Sequence, residues 1–338
     1  MIILRITSGL GNQMFQYAFY TLLKEKYKDT EVLCDVTWFN ANHEHHGYEL
    51  ESIFSGVDGS LFEIKKASTS QITRLSGKIP NFFTGSFSDA FEKIRRYPNR
   101  VLKDTLLPKR QPYIIDQFMG EIPDEDIVNE DGVVSNPFFD RIMNLDTEKD
   151  YYIIGFFVEE RYYSQVLEEV RKRLVFKKFT EKHNIAYEEQ INACDSVSIH
   201  VRRGDYLSDI YKDKFITLGR DYYEKAVNYI ENSIKEECAA EGRDANIKYF
   251  IFSDDADFVK KEFEWIENKT IVTENTGKNS YRDMQLMSLC SHNIIANSTF
   301  SQWGALLNKN ENHITVYPKV YMVDHDNEKK ASPLWVRL

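Results

Sequence analysis

Ser196-Val197-Ser198-Ile199-His200-Val201-Arg202-Arg203-Gly204-Asp205-Tyr206 is an apolar, β-branched run that closes on two arginines, a glycine and an acid. Such a run reads as a strand that carries cationic side chains to its carboxyl end. In open α/β sheets that edge is where ligands bind. Two guanidinium forks there suit a diphosphate, because each grips phosphate oxygens in pairs and stays charged. The same forks fit carboxylates equally well, so the competing reading pairs Arg202 and Arg203 with local acids such as Asp205 and Asp209.

From this strand to the carboxyl terminus the alternation is clean. Ser196–Val201, Lys248–Ser253, Thr270–Thr273, Asn293–Asn297 and His313–Tyr317 read as strands. Helical patterns near Asp221–Ala240, Asp257–Glu264, Tyr281–Cys290 and Phe300–Leu307 separate them. Strands alternating with helices predict an α/β fold with a doubly wound parallel sheet. The amino-terminal part opens the same way. Ile2–Ile6 is a short strand, and a helix from about Asn12 to Lys26 buries Phe15, Ala18, Phe19, Leu22 and Leu23 at helical spacing. Glu31–Asp35 is the next strand, which begins a βαβ unit. Between the two parts Pro80, Pro98, Pro108, Pro112, Pro123 and Pro137 and the acidic stretch Glu121–Asp131 predict short helices and long connections. Tyr151–Val158 reads as a buried strand, with Glu159–Leu174 as the helix after it.

Three strand ends carry chemistry. The Gly9-Leu10-Gly11 turn precedes a helix as a phosphate loop would, but Met14 stands where the third glycine of a dinucleotide fingerprint belongs, and there is no G-K-[S/T]. A nicotinamide-dependent reductase is therefore disfavoured. A tight turn allowing helix–strand packing is the plain alternative, while Asn12 and Gln13 place two amides at the helix start. Asn297-Ser298-Thr299-Phe300-Ser301 joins a strand end to a helix start, where free N–H groups and the macrodipole favour an anion, and where a serine or threonine also caps. Ser253-Asp254-Asp255 offers carboxylates that can accept paired bonds from the N1–H and amino group of guanine, or simply cap the next helix. His200 either takes part beside the ligand or holds the arginine loop through a ring N–H bond. His43-Glu44-His45-His46 matches no metal-ligand spacing.

Composition narrows the class. Of 338 residues, 42% are hydrophobic and 28% charged, as in a soluble protein with room for two domains. The net charge of −10 excludes the broad basic field that nucleic acid demands, yet two arginines and a helix start still make a local anion site. The 20 Tyr and 22 Phe would also suit a non-catalytic glycan-binding module, but such a module has no need of the paired arginines. Cys34, Cys194, Cys238 and Cys290 show no C-x-x-C pair; Cys34, Cys194 and Cys290 read as buried free thiols of a reducing compartment. The chain enters a strand at once in place of a signal peptide, and no apolar run approaches the roughly 20 residues of a membrane helix.

His200-Val201-Arg202-Arg203-Gly204-Asp205-Tyr206 resembles the His-x-Arg-Arg-x-Asp-Tyr signature of the α1,2-fucosyltransferases of glycosyltransferase family 11. Ser8 to Ala18 resembles the family's amino-terminal motif. Asp283 to Ser288 with Asn293 to Ser301 resembles its carboxy-terminal motif, and Tyr152 to Tyr163 a weaker central one. The matches run in family order from Gly9 to Leu307. The resemblance implies two Rossmann-like domains of the GT-B type, residues 1–180 on the acceptor side and residues 181–338 binding GDP-fucose, with the active site in the cleft between. It implies inverting transfer of L-fucose from GDP-fucose to the 2-hydroxyl of a terminal galactose in a glycan, without metal or other cofactor. Another linkage or another nucleotide-sugar is the alternative. It further implies a cytoplasmic, bacterial-type enzyme without a transmembrane segment, compatible with peripheral association where the acceptor is lipid-linked. Donor binding falls on His200, Arg202, Arg203, Asp254, Asp255, Asn297, Ser298, Thr299, Phe300 and Ser301. Guanine recognition goes to Asp254 or Asp255. Catalysis falls on Arg203, with Asp205 as the candidate base, and the fucose and acceptor side on Gly11, Asn12 and Gln13. Gln302 replaces a usual Trp, and Val158-Glu159 a usual Gln-Ser; these departures bear on the acceptor.

Overall fold

The structure, a computed structural model, describes all residues except 43–44, 57–58, 81–113, 119–121, 123, 129–133, 324 and 327, together with the side chains of 325, 326 and 328. Pro98, Pro108, Pro112, Pro123 and parts of the acidic stretch thus lie outside the described residues. The chain divides into two compact units, Met1–Val175 and Phe176–Leu338.

In the first unit, β1 (Ile2–Arg5), β2 (Val32–Asp35), β3 (Ile114–Asp116) and β4 (Tyr151–Ile154) form one parallel sheet in the order β2-β1-β4-β3. The first two strands are buried apolar runs that end on Arg5 and Asp35 at their carboxyl edge. Helix α1 spans Leu10–Lys26, starting two residues before the expected Asn12, with Gly9 as its N-cap. Gly11 therefore lies in the first turn of the helix, not in a loop before it. Phe15, Ala18, Phe19, Leu22 and Leu23 are all buried as the periodicity predicts, and Lys24 and Lys26 sit at the negative end of the dipole. Helices α2 (Leu50–Ile53), α3 (Thr69–Ser76), α4 (Pro137–Met143) and α5 (Leu167–Arg173) belong to the same unit.

Two expectations need correction here. The strand predicted over Tyr151–Val158 stops at Ile154 because the chain turns beneath Gln117, whose Oε1 accepts the N–H groups of Phe156 at 2.7 Å and Phe157 at 3.2 Å. Phe157 sits at φ 55°, and a Cβ on Gly155 would stand 2.5 Å from Gln117 Oε1. The helix predicted over Glu159–Leu174 is α-helical only from Leu167; Glu160–Tyr162 and Ser164–Val166 are 3-10 turns. Tyr162 is buried edge-on against Phe19 and Phe157, both at 5.4 Å, and this aromatic packing overrides helical period.

The second unit holds β5 (Asp195–Val201), β6 (Ile247–Ser253), β7 (Lys269–Val272), β8 (His292–Ile294), β9 (Thr315–Tyr317) and β10 (Val336–Arg337). They lie parallel in the order β7-β6-β5-β8-β9-β10. Helices α6 (Lys182–Asn192), α7 (Arg220–Ala240), α8 (Ala256–Glu262), α9 (Tyr281–Met287) and α10 (Thr299–Leu306) connect them. Every strand expected after Ser196 is present within three residues of its expected limits, while α6 and β10 were not foreseen. The strand order is that of a doubly wound Rossmann sheet. On β5, Val197, Ile199 and Val201 pack into a core with Tyr223, Ala226, Val227, Ile230 and Ile234 of α7. The alternate residues point to the other face, where Ser198 Oγ accepts from Asn293 Nδ2 at 2.7 Å and His200 meets the Phe300 ring at 5.7 Å. Gly304 of α10 lies so close to α9 that a Cβ would stand 3.0 Å from Met287 Cβ.

Both sheets reverse direction beside their first strand. From β5 the chain steps through β6 to β7, then returns to β8 on the opposite side of β5. From β1 it steps to β2, and β4 lies on the far side of β1. Ligands of open α/β sheets bind outside the carboxyl ends at such reversals. The cysteines are free thiols, and Cys238, not Cys194, is fully buried with Cys34 and Cys290.

Candidate functional site

The register of β5 against β6 pairs His200 with Phe252 and Val201 with Ser253. The segments Arg202–Asp205 and Asp254–Asp255 therefore leave the sheet side by side. Arg202 alternates with Arg203 in direction, and their partners differ accordingly. Arg202 Nη2 meets Asp205 Oδ1 at 2.8 Å and Nη1 meets Asp254 Oδ2 at 2.9 Å. Burial pulls its pKa down, but Asp254 and Asp205 outweigh burial and raise it. Arg203 lies on the other side, stacked 3.5 Å above the Phe258 ring of α8, with Nε bonded to Asp255 Oδ2 at 3.2 Å. Its two terminal nitrogens meet no partner among the described residues, and the side chain keeps 21% of its surface accessible. Arg203 thus presents the free fork. The competing reading holds for Arg202, whose Nη1 and Nη2 are both committed to acids; Asp209 pairs instead with Lys212 at 2.6 Å.

The two acids after β6 build the arginine loop. Asp254 Oδ1 accepts the Arg203 N–H at 2.9 Å while Oδ2 holds Arg202. Asp255 Oδ1 accepts the Phe258 N–H at 3.1 Å, capping α8, while Oδ2 holds Arg203. Both carboxylates position arginines, and each oxygen keeps a lone pair for a further donor. Asp205 is likewise engaged, as the partner of Arg202. His200 is buried, its Nδ1 lacks any hydrogen-bond partner, and its pKa falls to about 4 through burial, against the pull of Asp254. It is neutral at ordinary pH. The ring N–H bond expected to hold the loop is not made through Nδ1; instead the Tyr223 hydroxyl donates to the His200 carbonyl at 3.1 Å.

Gly204 has no room for a side chain, since a Cβ would stand 2.8 Å from Asp254 Oδ2, a carboxylate already pinned on both oxygens. Gly204→Ala is expected to displace the arginine loop at a cost of about 1–3 kcal/mol. The thermal midpoint should then fall by roughly 2–10 °C. An unchanged midpoint would show that the loop yields without loss.

Across the reversal, β8 delivers Asn297–Ser301 to the same end of β5. The Tyr206 hydroxyl donates to the Asn297 carbonyl at 2.7 Å and joins the two segments. Asn297 is structural in its amide, which donates to the carbonyls of Ile216 at 2.9 Å and Tyr321 at 2.8 Å. Ser298 caps α10 by accepting the Phe300 N–H at 3.3 Å. Ser301 is buried and bonds back to Ala296 and Ser298 carbonyls at 3.4 and 3.3 Å. Thr299 and Phe300 keep partial exposure. Gln302 satisfies its buried amide by donating to the Lys330 carbonyl.

The first unit corrects another expectation. Gln13 is 0% exposed, and its amide donates to the carbonyls of Ser8 and Gly47, each at 2.8 Å, and accepts the Glu49 N–H at 2.9 Å. It pins a loop and offers a ligand nothing. Gly11 is buried as well, so Asn12 alone of the three keeps an accessible side chain. His43 and Glu44 of the histidine cluster lie outside the described residues, and the His45 ring lies against Gly9, 3.3 Å from where its Cβ would be. Among the described residues no group of three or more His, Cys, Asp or Glu side chains is placed to hold a metal ion, and no helix is long and apolar enough to cross a membrane. Sequence reasoning missed Phe258 and Tyr223, whose contacts with Arg203 and His200 carry no local signal.

The family model for glycosyl transferase family 11 matches residues 83–337. The chain belongs to this family. It is 28% identical over 338 residues to the O-antigen biosynthesis glycosyltransferase WbnK of Escherichia coli, covering 98% of this chain and 99% of that one. To an alpha-1,2-colitosyltransferase of Escherichia coli it is 27% identical over 344 residues, covering 100% and 99%. Among solved structures, the NodZ alpha-1,6-fucosyltransferase soaked with GDP-fucose aligns over 90% of this chain and 92% of that one, at 13% identity and a TM-score of 0.45. The protein is a family 11 glycosyltransferase, and Arg203 stands at the carboxyl end of the central strand of its second sheet.

Proposed function

We propose that this glycosyltransferase moves L-fucose from GDP-fucose to the 2-hydroxyl of a terminal galactose, with inversion and without a metal ion. The observation that carries the reading is the free guanidinium fork of Arg203 at the reversal between β5 and β8, preorganised by Asp255 and by the Phe258 ring. In a single displacement negative charge grows on the departing GDP, and a fixed cation aimed there strengthens its hold as the bond breaks. That is the role a metal would otherwise fill. Arg202 contributes less directly, through the local field and the loop geometry. The half-buried Thr299 at the start of α10 supplies a hydroxyl beside a helix N-terminus on the other side of the reversal. Family membership supports the reaction class, and the alpha-1,2-colitosyltransferase relative supports the 1,2 linkage.

That relative also motivates a second reading, in which the sugar on GDP is colitose. Incubation with GDP-fucose or GDP-colitose and lactose, each with and without EDTA, separates the two. The expected product from GDP-fucose is α1,2-fucosyl-lactose by mass and linkage analysis, in yield unchanged by EDTA. Transfer from GDP-colitose alone would move the sugar assignment, and loss of transfer in EDTA would overturn the metal-free mechanism. Stabilisation by UDP or CDP in place of GDP would remove the donor class altogether.

A further inference from the structure

Ser8 at φ 66°, His45 at φ 58° and Phe157 at φ 55° are the non-glycine residues with positive φ among those described, and all three belong to the first unit. Strained backbone persists where the surroundings over-determine it. Here two glutamines of α1 do so. Gln16 accepts the Thr7 N–H at 2.9 Å and donates to the Gly155 carbonyl at 2.8 Å, joining the loop after β1 to the loop after β4. Gln13 ties Ser8, Gly47 and Glu49 together through the bonds above. Three loops are thereby held at the carboxyl edge of the sheet, beside its reversal.

Glu49 stands in this assembly without a structural task. It is 6% exposed, and it precedes α2 without capping it. Its carboxylate makes no hydrogen bond or ion pair with any described residue, whereas the acids Glu51 and Asp35 are both committed. Glu51 holds Lys66 at 2.5 Å and the Ile64 N–H at 3.3 Å, and Asp35 holds Thr37 and the Tyr152 hydroxyl. A nearly buried carboxylate unpaired among the described residues is costly and calls for a use.

We propose that Glu49 is the general base of the transfer, and that the loops after β1 and β4 with residues 45–49 receive the acceptor sugar. The inference rests on the transferase reading above. The acceptor oxygen forms its bond to the anomeric carbon as the bond from that carbon to the diphosphate breaks, the electron pair leaving with GDP. The acceptor proton passes to the Glu49 carboxylate and afterwards to water. Burial supports the role, since it lifts the Glu49 carboxyl to about 7, where a base is both partly ionised and strong enough to matter. The titratable groups next to it in sequence are His45, His46 and Tyr48 in its own loop and Glu51 on α2, and burial is the named cause of its shift. Leu10–Gln16 of α1 contributes none.

The test compares wild type with Glu49→Gln on GDP-fucose and lactose from pH 5 to 9. A base must be ionised, so wild-type kcat is expected to rise with pH through about 7 and level off. Glu49→Gln should lose at least about 100-fold in kcat at pH 8 and lose that acid limb, with acceptor KM and GDP binding within about threefold. Formate should restore turnover to Glu49→Ala, a readout that survives if glutamine is poorly tolerated. A Glu49→Gln enzyme within threefold of wild type and with the limb retained overturns the assignment alone. Absence of transfer by wild type from any GDP-sugar overturns the transferase reading and the base with it, so the two failures are distinct.

Discussion

Arg203→Ala is expected to lower transfer by more than a hundredfold and leave the protein folded. Among the described residues the side chain spends only Nε on the protein, at 3.2 Å from Asp255, and otherwise stacks on Phe258. Its removal costs the fold a half-buried ion pair and a cation–π contact, together about 1–2 kcal/mol. For the reaction it removes a donor whose contribution grows with the charge on the leaving diphosphate, and such donors are worth about 100- to 1,000-fold in kcat. Arg203→Lys should fail almost as badly, because an ammonium is a point charge that cannot make the paired grip. The contrast with Arg202 sharpens the point. Arg202→Ala would strip the partner from Asp254 and Asp205 together and disturb the loop, so its loss would mix structure with chemistry. The checks are single-turnover product yield and thermal midpoint measured on the same preparations. Turnover by Arg203→Ala within tenfold of wild type would remove the central assignment.

The second sheet was legible because strands buried on both faces are spelled as β-branched runs, and helices of ordinary length separate them. The place where His200–Tyr206 leaves the carboxyl end of its strand was legible for the same reason. Which arginine is free was not, because the deciding acid, Asp254, comes from a neighbouring strand about fifty residues on. Gln13 was misread because a helix start reveals which residues begin the helix, not which side of it a loop will cover; its partners Gly47 and Glu49 arrive 34 and 36 residues later. The 3-10 turns around Tyr162 reflect aromatic packing against α1, which local periodicity does not encode. Glu49 had no signal at all. A glutamate before a four-residue helix looks like any surface acid until the fold buries it.

Burial of that acid has a cost that can be measured apart from catalysis. The Glu49 carboxyl titrates at about 7 in the folded state against an ordinary 4.5. Between those values the folded protein holds a proton that the unfolded chain has already released, so stability falls as pH rises through this window. Each unit of the gap is worth about 1.4 kcal/mol, and the full loss approaches about 3 kcal/mol above pH 7, where both states are ionised and the slope vanishes. Below 4.5 both states are protonated and nothing is lost. Glu49→Gln keeps the shape and never ionises, so the variant is expected to be the more stable protein at pH 8, by up to about 3 kcal/mol less whatever the buried amide gives back. The advantage should vanish toward pH 4.5. Urea midpoints for the two proteins at pH 5, 6, 7 and 8 would trace the difference. A difference flat with pH would mean that Glu49 is solvated and titrates as an ordinary acid. A difference that opens through the pH range in which wild-type kcat rises would tie one proton to both events. The same ionisation that makes the carboxylate a base would then be what weakens the fold, the trade expected where function requires a charge kept from water.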